Sequence, residues 1–166
     1  MTFAQQKLVK PAIVHKVFAG IGYGSNSFFN GVTGNIGYEF HFDKNFISLI
    51  FYQLKEFQLF GNTNPQKATE LCFLYNREFI IKATSVSVGA GVANTNYVAD
   101  IRNLMGPPPP GTYYGFEKFE HSVIGFPVNV NISNTKRKFT AGIGLHSNFN
   151  SISSIYAGNI FLIYKF

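Results

Sequence analysis

The 166 residues of this chain suit one domain, and only 13% of them are charged, well below the roughly 25% of an ordinary soluble domain. Nineteen Phe, nine Tyr and sixteen Gly accompany this low charge, so many aromatic side chains must be either buried or facing lipid. The net charge of +6 does not by itself indicate a nucleic-acid partner, which would need a concentrated basic patch, and we expect no such partner. The single cysteine excludes an internal disulfide.

Residues 1–12 precede the first predicted strand. The stretch Met1-Thr2-Phe3-Ala4-Gln5-Gln6 places a small residue before a polar run, as at the end of a secretory signal peptide, although the charged start and apolar core are missing. We predict that 1–12 is a signal-peptide remnant and periplasmic tail; an ordinary disordered N-terminus is the alternative. Residues 13–166 are predicted to form a single domain.

Eight segments alternate apolar with polar residues, the pattern of strands whose two faces meet different surroundings. They are 17–24, 32–42, 46–59, 67–76, 84–92, 121–132, 138–149 and 152–166. Most reach the roughly 9–11 residues that a strand needs to cross the apolar layer of a membrane. No segment approaches the roughly 18 apolar residues of a spanning helix, so any membrane crossing requires a closed barrel.

The predicted connections alternate between tight and wide. Tight turns are expected at 42–45, near 76–77 and at 133–136, and wider links at 25–31, 60–67, 94–116 and 147–151. This alternation is typical of an outer-membrane barrel with short periplasmic turns and longer extracellular loops. Pro127 falls inside a predicted strand, so we expect a bulge or a local break there.

The polar face of these strands consists mainly of Gly, Ser, Asn and His, with few charges. Such a face suits the narrow, filled interior of an eight-stranded barrel better than a soluble exterior. We therefore predict an all-β fold, a closed antiparallel transmembrane β-barrel of eight strands in an up-and-down meander. A soluble lipid-binding β-barrel is the alternative.

The last strand ends in an aromatic residue, with aromatic, apolar or small residues at alternate positions before it. These residues are Gly158, Ile160, Leu162, Tyr164 and Phe166. The pattern resembles the insertion signal of bacterial outer-membrane barrels, which implies that the barrel-assembly machinery reads them. Ile163 and Phe161 depart from the pattern because they would point into the lumen. Together with Phe18, Leu74 and Phe79, they predict an apolar plug near the periplasmic end.

Over its full length the chain resembles the small eight-stranded barrels of the OmpA/OmpX type. Its many Phe, Tyr and Asn residues also resemble the outer-membrane barrel proteins of the Bacteroidota. The resemblance implies a multi-pass protein of the Gram-negative outer membrane, with outer-membrane lipid and lipopolysaccharide as partners. Lys136, Arg137 and Lys138, at a predicted periplasmic turn, are expected to meet lipid phosphates.

An interior polar network is predicted where acidic residues and histidines share the polar face. Its expected members are Glu39, His41, Glu56, Glu70, His121 and His146. The expected connecting loops, one of them turning at 134–135, place Glu56 beside Glu70 and His121 beside His146. Because buried charge needs partners, we expect these groups to pair and expect neither a metal nor a cofactor. A metal site formed by the same two Glu and two His residues is the alternative.

The predicted loop 94–116 is the second candidate for function. It contains Tyr97, Arg102, Tyr113, Tyr114 and Phe116 around four consecutive prolines. A proline run favours a stiff, extended stretch, and tyrosines provide amphipathic contact area, so we predict a protein partner at this loop. The alternative is a surface loop whose aromatic residues lie at the membrane boundary.

No set of residues assembles into a Ser/His/Asp group or another catalytic constellation. We therefore predict a non-enzymatic outer-membrane protein. It would be a structural or adhesion-type barrel, or an accessory subunit of an envelope complex. A narrow transport channel is the first alternative, and an outer-membrane enzyme that modifies lipid is the second.

Overall fold

The computed structural model of the protein describes residues 13–57, 65–100, 110, 118–134 and 137–166. The predicted tail at 1–12 lies outside these residues. Within the described ranges, no helix is long and apolar enough to cross a membrane.

Eight antiparallel strands form one closed barrel. They are β1 (Ile13–Ser25), β2 (Asn30–Phe42), β3 (Asn45–Glu56), β4 (Lys67–Ile81), β5 (Thr84–Asp100), β6 (Lys118–Asn134), β7 (Phe139–Asn150) and β8 (Ile155–Lys165). Each strand pairs with the next along the chain, and β8 closes the barrel by pairing with β1. The predicted all-β, eight-stranded, up-and-down barrel is therefore confirmed.

Alternation along the strands separates an apolar exterior from a largely polar interior. On β3, Phe51 is 46% exposed, whereas the preceding Ile50 is 6% exposed and faces inward. The inward positions of the barrel also include many small or polar residues, such as Thr33, Ser48 and Asn159. A lipid-facing apolar band around a polar interior is the arrangement of transmembrane barrels.

Two tight hairpin turns lie at one rim of the barrel, where β1 begins and β8 ends. This rim is called the short-turn rim. Asp43 at the β2–β3 turn and Lys82 at the β4–β5 turn have φ values of 59° and 58°, as such tight hairpins require. The predicted turn near 76–77 is wrong, because β4 continues to Ile81. Asn76 resembled a turn residue, but it is buried and donates a hydrogen bond from Nδ2 to Ser48 Oγ at 2.9 Å.

The registers of two strand pairs differ from the prediction. Ser133 pairs with Gly142, so the β6–β7 turn is centred between residues 137 and 138 and not at 134–135. Lys55 pairs with Lys67, which centres the β3–β4 loop on residue 61, three residues earlier than expected. Since a displaced turn centre shifts the register by twice that amount, both predicted registers are wrong by six residues.

Pro127 interrupts the ladder between β5 and β6. The pairs Gly91–Pro127 and Val92–Phe126 are missing, while Ala90–Val128 and Ala93–Gly125 keep the same register on either side. The interruption is therefore a local break and not a bulge. Proline lacks the backbone N–H that this pairing needs. The break therefore shows that the backbone nitrogen and carbonyl of residue 127 face β5 and not β7.

The interior side chains form four layers along the barrel axis. Nearest the short-turn rim is a charged layer of Lys16, Glu39, His41 and Glu78. An apolar layer of Phe18, Ile50, Leu74, Phe161 and Ile163 follows. Above it lies a second polar layer, which contains Tyr52, Glu70, Thr95, His146, Asn148 and Asn159. An apolar lid of Phe29, Leu54, Ala68, Tyr97 and Ile155 covers this layer at the opposite, long-loop rim.

Candidate functional site

The charged layer forms the rim cluster, defined by Lys16, Glu39, His41 and Glu78. His41 lies between the two carboxylates: its Nε2 is 2.7 Å from Glu39 Oε2, and its Nδ1 is 3.8 Å from Glu78 Oε2. Lys16 Nζ is 3.4 Å from Glu78 Oε1. Lys16 and His41 thus face the two carboxylates inside the barrel.

The second polar layer contains the central cluster, defined by Glu70, Cys72 and His146. Glu70 is completely buried, and its Oε2 accepts a hydrogen bond from His146 Nε2 at 2.7 Å. Its Oε1 accepts hydrogen bonds from Thr95 Oγ1 at 3.0 Å and from Asn148 Nδ2. These donors compensate the loss of water around the buried carboxylate.

The imidazole of His146 is held on its edge and on its face. Nδ1 donates a hydrogen bond to Asn129 Oδ1 at 2.6 Å, and the Tyr52 ring stacks on the imidazole with 4.6 Å between centroids. With Nε2 bonded to Glu70, both ring nitrogens face acceptor oxygens. A protonated His146 would donate to both oxygens and neutralise Glu70, as their 2.7 Å contact allows.

The central cluster is also the group of residues that could hold a metal ion in the described part of the chain. Glu70, Cys72 and His146 each offer one ligand atom, and these oxygen, sulfur and nitrogen atoms all lie within 4.8 Å of one another. Cys72 is a free thiol with no exposed surface. Sequence reasoning missed it because an isolated cysteine gave no spacing signal.

A small interior space lies between the two clusters. It has a volume of about 40 Å³, and its lining includes Lys16, Glu39 and Glu78 of the rim cluster, His146 of the central cluster, and Tyr52. This volume holds about three water molecules. Because the apolar lid covers the long-loop end, the described residues of the barrel form no continuous open pore.

Two members of the predicted interior network lie elsewhere. His121 is exposed near the long-loop rim, where its ring stacks on Phe119 with 5.8 Å between centroids. Glu56 is at the end of β3, and its Oε2 accepts a hydrogen bond from the Gln66 backbone N–H at 3.0 Å. The six-residue shift of both registers displaces these residues along the barrel axis. His121 and Glu56 therefore lie at the long-loop rim, and neither forms its predicted pair. Of the two predicted pairs, the structure instead joins Glu70 to His146.

Tyr97 also differs from its predicted role. It is a β5 residue, not a loop residue, and it is 2% exposed inside the lid. Its hydroxyl donates a hydrogen bond to the Ser153 carbonyl and accepts one from Asn150 Nδ2, so it closes the barrel end. The other predicted partner-binding residues lie outside the described ranges; they are Arg102, Tyr113, Tyr114 and Phe116.

The predicted apolar plug is present in part. Leu74, Phe161 and Ile163 are buried in the interior, and Phe18 packs beside Phe161 with 6.0 Å between ring centroids. Phe79 is 48% exposed, so its inclusion in the plug is wrong. Charged residues of the rim cluster lie between this apolar layer and the short-turn rim.

No protein-family model and no curated protein matches the chain, whereas solved structures do. Neisserial surface protein A superposes with a TM-score of 0.69 at 12% identity, over 93% of this chain and 97% of that one. Ail of Yersinia pestis, the attachment invasion locus protein, was solved with the heparin analogue sucrose octasulfate and gives a TM-score of 0.64 at 10% identity, over 93% and 99%. The outer membrane enzyme PagL gives 0.51 at 11% identity, over 90% and 98%. The fold is that of the small outer-membrane barrels.

At these identities the likeness shows the fold of the barrel and no particular activity. One of the three similar structures is an attachment protein and another is an enzyme. An outer-membrane barrel of this size is therefore compatible with either activity, and the choice depends on the residues of this chain. The resemblance to proteins of the Bacteroidota stays a prediction.

The residues of the predicted insertion signal lie on the outer face of the barrel. Gly158, Ile160, Leu162, Tyr164 and Phe166 are all exposed. At the seam, the backbone N–H of Phe166 donates a hydrogen bond to the His15 carbonyl at 3.1 Å. The His15 ring also stacks on the Phe166 ring with 5.8 Å between centroids. Their role in insertion stays a prediction.

Proposed function

We propose that the protein is a non-enzymatic, integral outer-membrane barrel of the adhesion type, which presents a strand edge above the membrane to an extended protein segment. The observation that carries this proposal is the unequal length of β6 and β7 at the long-loop rim. The filled interior supports it, because the two polar clusters and the apolar lid leave no continuous path for transport.

The strand edge is formed by Lys118–Ile124 of β6. This segment pairs with β5 as far as Asp100–Lys118, but the pairing of β6 with β7 ends at Gly125–Asn150. Among the described residues, no segment pairs with the seven residues of this edge. Strand tilt in a barrel produces only a small stagger between neighbours, so the β5–β6 hairpin projects beyond the rim. Unpaired edges are templates for the addition of another strand.

The break at Pro127 shows which residues of β6 direct their backbone N–H and C=O groups toward the open edge. At residue 127 these backbone positions face β5, and the side that they face alternates from one residue to the next along an antiparallel strand. Even-numbered residues of β6 therefore point toward the β7 side. Beyond Gly125, the backbone groups of Ile124, Ser122 and Glu120 face the open edge, where an added strand would bond to them.

Replacement of Ser122 with proline tests this edge. The change removes one edge N–H without removing a donor of the β5–β6 ladder. We expect Ser122→Pro to lose a partner that is crosslinked to the wild-type protein in native outer membranes. The matched control is Ser122→Ala, which also lacks the hydroxyl but keeps the N–H and should retain the partner. The readout is quantitative mass spectrometry of the crosslinked complexes.

The contradictory outcome is equally clear. If Ser122→Pro captures the same proteins in the same amounts as Ser122→Ala, main-chain pairing at this edge is not the mode of recognition. Each variant is first checked for folding by its shift in gel mobility between unheated and boiled samples. A barrel that needs no detergent or lipid to stay dispersed would contradict the membrane location itself.

Contact with lipopolysaccharide forms part of the same proposal. On the outer face of β3 and β4, successive cross-strand pairs are Phe51–Leu71, Gln53–Thr69 and Lys55–Lys67. They are spaced about 6.8 Å apart along the strands. From the first pair to the third, the side chains change from apolar to polar to cationic, as the surroundings change from hydrocarbon to phosphate at a membrane surface. Lys55 and Lys67 are both exposed.

The lysine pair has a specific expected effect. Two like charges directly opposite one another are unfavourable, and a lipid phosphate between them would relieve the repulsion. Each lysine near an anionic surface contributes about 1 kcal/mol of binding free energy. The double variant Lys55→Gln/Lys67→Gln should therefore weaken the binding of phosphorylated lipopolysaccharide roughly tenfold or more. Binding is measured in detergent by fluorescence anisotropy. The control Lys44→Gln/Lys82→Gln, on the opposite rim, should change binding little, and a loss that persists with dephosphorylated lipopolysaccharide would contradict phosphate recognition.

A further inference from the structure

We propose that Glu70, Cys72 and His146 form a binding site for a divalent transition-metal ion inside the barrel, with Zn²⁺ as the best fit to the donor set. Glu70 and Cys72 are two residues apart on β4 and share its inner face. His146 comes from β7, which is not a neighbour of β4 in the barrel. A bound ion would therefore link opposite walls of the barrel.

The three donors match zinc in type and in charge. Carboxylate oxygen, thiolate sulfur and imidazole nitrogen are the ligand atoms that Zn²⁺ takes in proteins. On binding, the Cys72 thiol releases its proton, and Zn²⁺ is held by one carboxylate, one thiolate and one neutral imidazole. The net charge of the occupied site is zero, as a fully buried site requires.

The surrounding hydrogen bonds orient the ligands as they do around protein metal sites. Thr95 and Asn148 hold Oε1 of Glu70, and Asn129 accepts the hydrogen bond from Nδ1 of His146. Glu70 Oε2 and His146 Nε2 are left facing one another at 2.7 Å. Outer partners on the distal atoms of carboxylate and imidazole ligands fix their orientation and strengthen metal binding.

Cys72 distinguishes a metal site from a simple ion pair. The ion pair involves Glu70 and His146 alone. Cys72, which also packs in the buried cluster with Ile50, Leu74 and Ala93, adds a sulfur atom within 4.8 Å of both ligand atoms. The space beside His146 and Tyr52 is lined in part by polar side chains. It gives room for a water molecule beside His146 as the fourth ligand.

The test uses the full chain folded into detergent micelles with the metal present, so that barrel closure cannot prevent loading. After removal of excess Zn²⁺, elemental analysis should find about one zinc ion per chain. Folding with Co²⁺ in place of Zn²⁺ should give a sulfur-to-cobalt charge-transfer band in the near ultraviolet and the visible bands of a tetrahedral ion.

Three variants assign the site. Cys72→Ser should abolish the charge-transfer band. Thr95→Val removes one outer hydrogen bond and should weaken Zn²⁺ binding roughly 10–100-fold while the band is retained. The matched control is His41→Gln, which alters a buried histidine that also contacts a carboxylate, but in the rim cluster. It should bind metal as the wild type does.

Each contrary result would overturn the assignment. Folded wild-type protein with no more zinc than Cys72→Ser contains no such site, and Glu70 and His146 are then an ion pair alone. A charge-transfer band that survives in Cys72→Ser would show that Cys72 is not a ligand and would contradict the proposed site. Loss of metal in His41→Gln would move the site to the rim cluster. Gel mobility before and after boiling establishes that every variant compared is folded.

Discussion

Replacement of His146 with phenylalanine is expected to lower the free energy of unfolding by about 3–5 kcal/mol, the usual loss when one partner of a buried ion pair is removed. Phenylalanine keeps a ring against Tyr52, so the change removes charge and hydrogen bonds more than packing. Glu70 would remain completely buried without its cation. The measurement is urea unfolding in lipid vesicles with EDTA present, so that no metal contributes.

A double variant separates unpaired charge from other effects of the substitution. Glu70→Leu/His146→Phe leaves neither charge behind and should lose much less stability than His146→Phe alone. Their difference measures the burial of an uncompensated carboxylate. A loss in the single variant of less than about 1 kcal/mol would be the size of one neutral hydrogen bond and would contradict the ion pair.

Replacement of Phe166 with alanine is expected to reduce the amount of inserted protein in cells several-fold, while the stability of molecules that have already folded changes little. Phe166 is 60% exposed, so its removal opens no cavity in the packed interior. The backbone bond between Phe166 and His15 at the seam survives the change. The measurements are the fraction of heat-modifiable protein in outer membranes and the urea midpoint of the purified barrel.

Phe139 provides the matched control for this experiment. It is 59% exposed at the same rim and pairs with Tyr164 across the β7–β8 ladder, but it lies outside the last strand. Phe139→Ala should insert as the wild type does. Equal losses of insertion in both variants would mean that Phe166 acts as one more lipid-facing aromatic residue and not as part of an assembly signal.

The fold could be predicted from sequence because the face of each strand residue is decided locally. Apolar and polar residues alternate over each strand, and this alternation identifies the outer face without knowledge of the neighbouring strands. It also predicted the local break at Pro127, since a proline removes a specific hydrogen bond. Strand ends were less accurate, as at Asn76, whose buried amide resembled a turn signal.

The register of the strands could not be obtained in the same way. A shift of one residue exchanges the two faces of a strand, but a shift of six residues leaves every side chain on its original face. The alternation pattern therefore fits the wrong register as well as the right one. Only the centre of each loop distinguishes them, and an error of three residues there was enough to place His121 beside His146, at the wrong level of the barrel.

Errors in strand ends and in register together decided which members of the candidate sites were missed. Glu78 lay outside the predicted strands because β4 was ended too early, and the predicted register did not pair Asn129 with His146. Lys16 shares the inner face of β1 with Phe18 and Gly20, so its interior position could have been found from the alternation if β1 had been started three or four residues earlier. The site at Cys72 could not have been found in this way, because it depends on the contact of Cys72 with His146 on a strand across the barrel.

The burial of Cys72 gives the natural chain a built-in reporter of its own closure. Its thiol has no exposed surface in the finished barrel and is the single thiol of the sequence. A maleimide reagent should therefore modify the chain before β8 meets β1 and be excluded afterwards. Quenching such labelling at successive times would follow the last step of assembly in unmodified protein, without a fluorophore or an introduced residue.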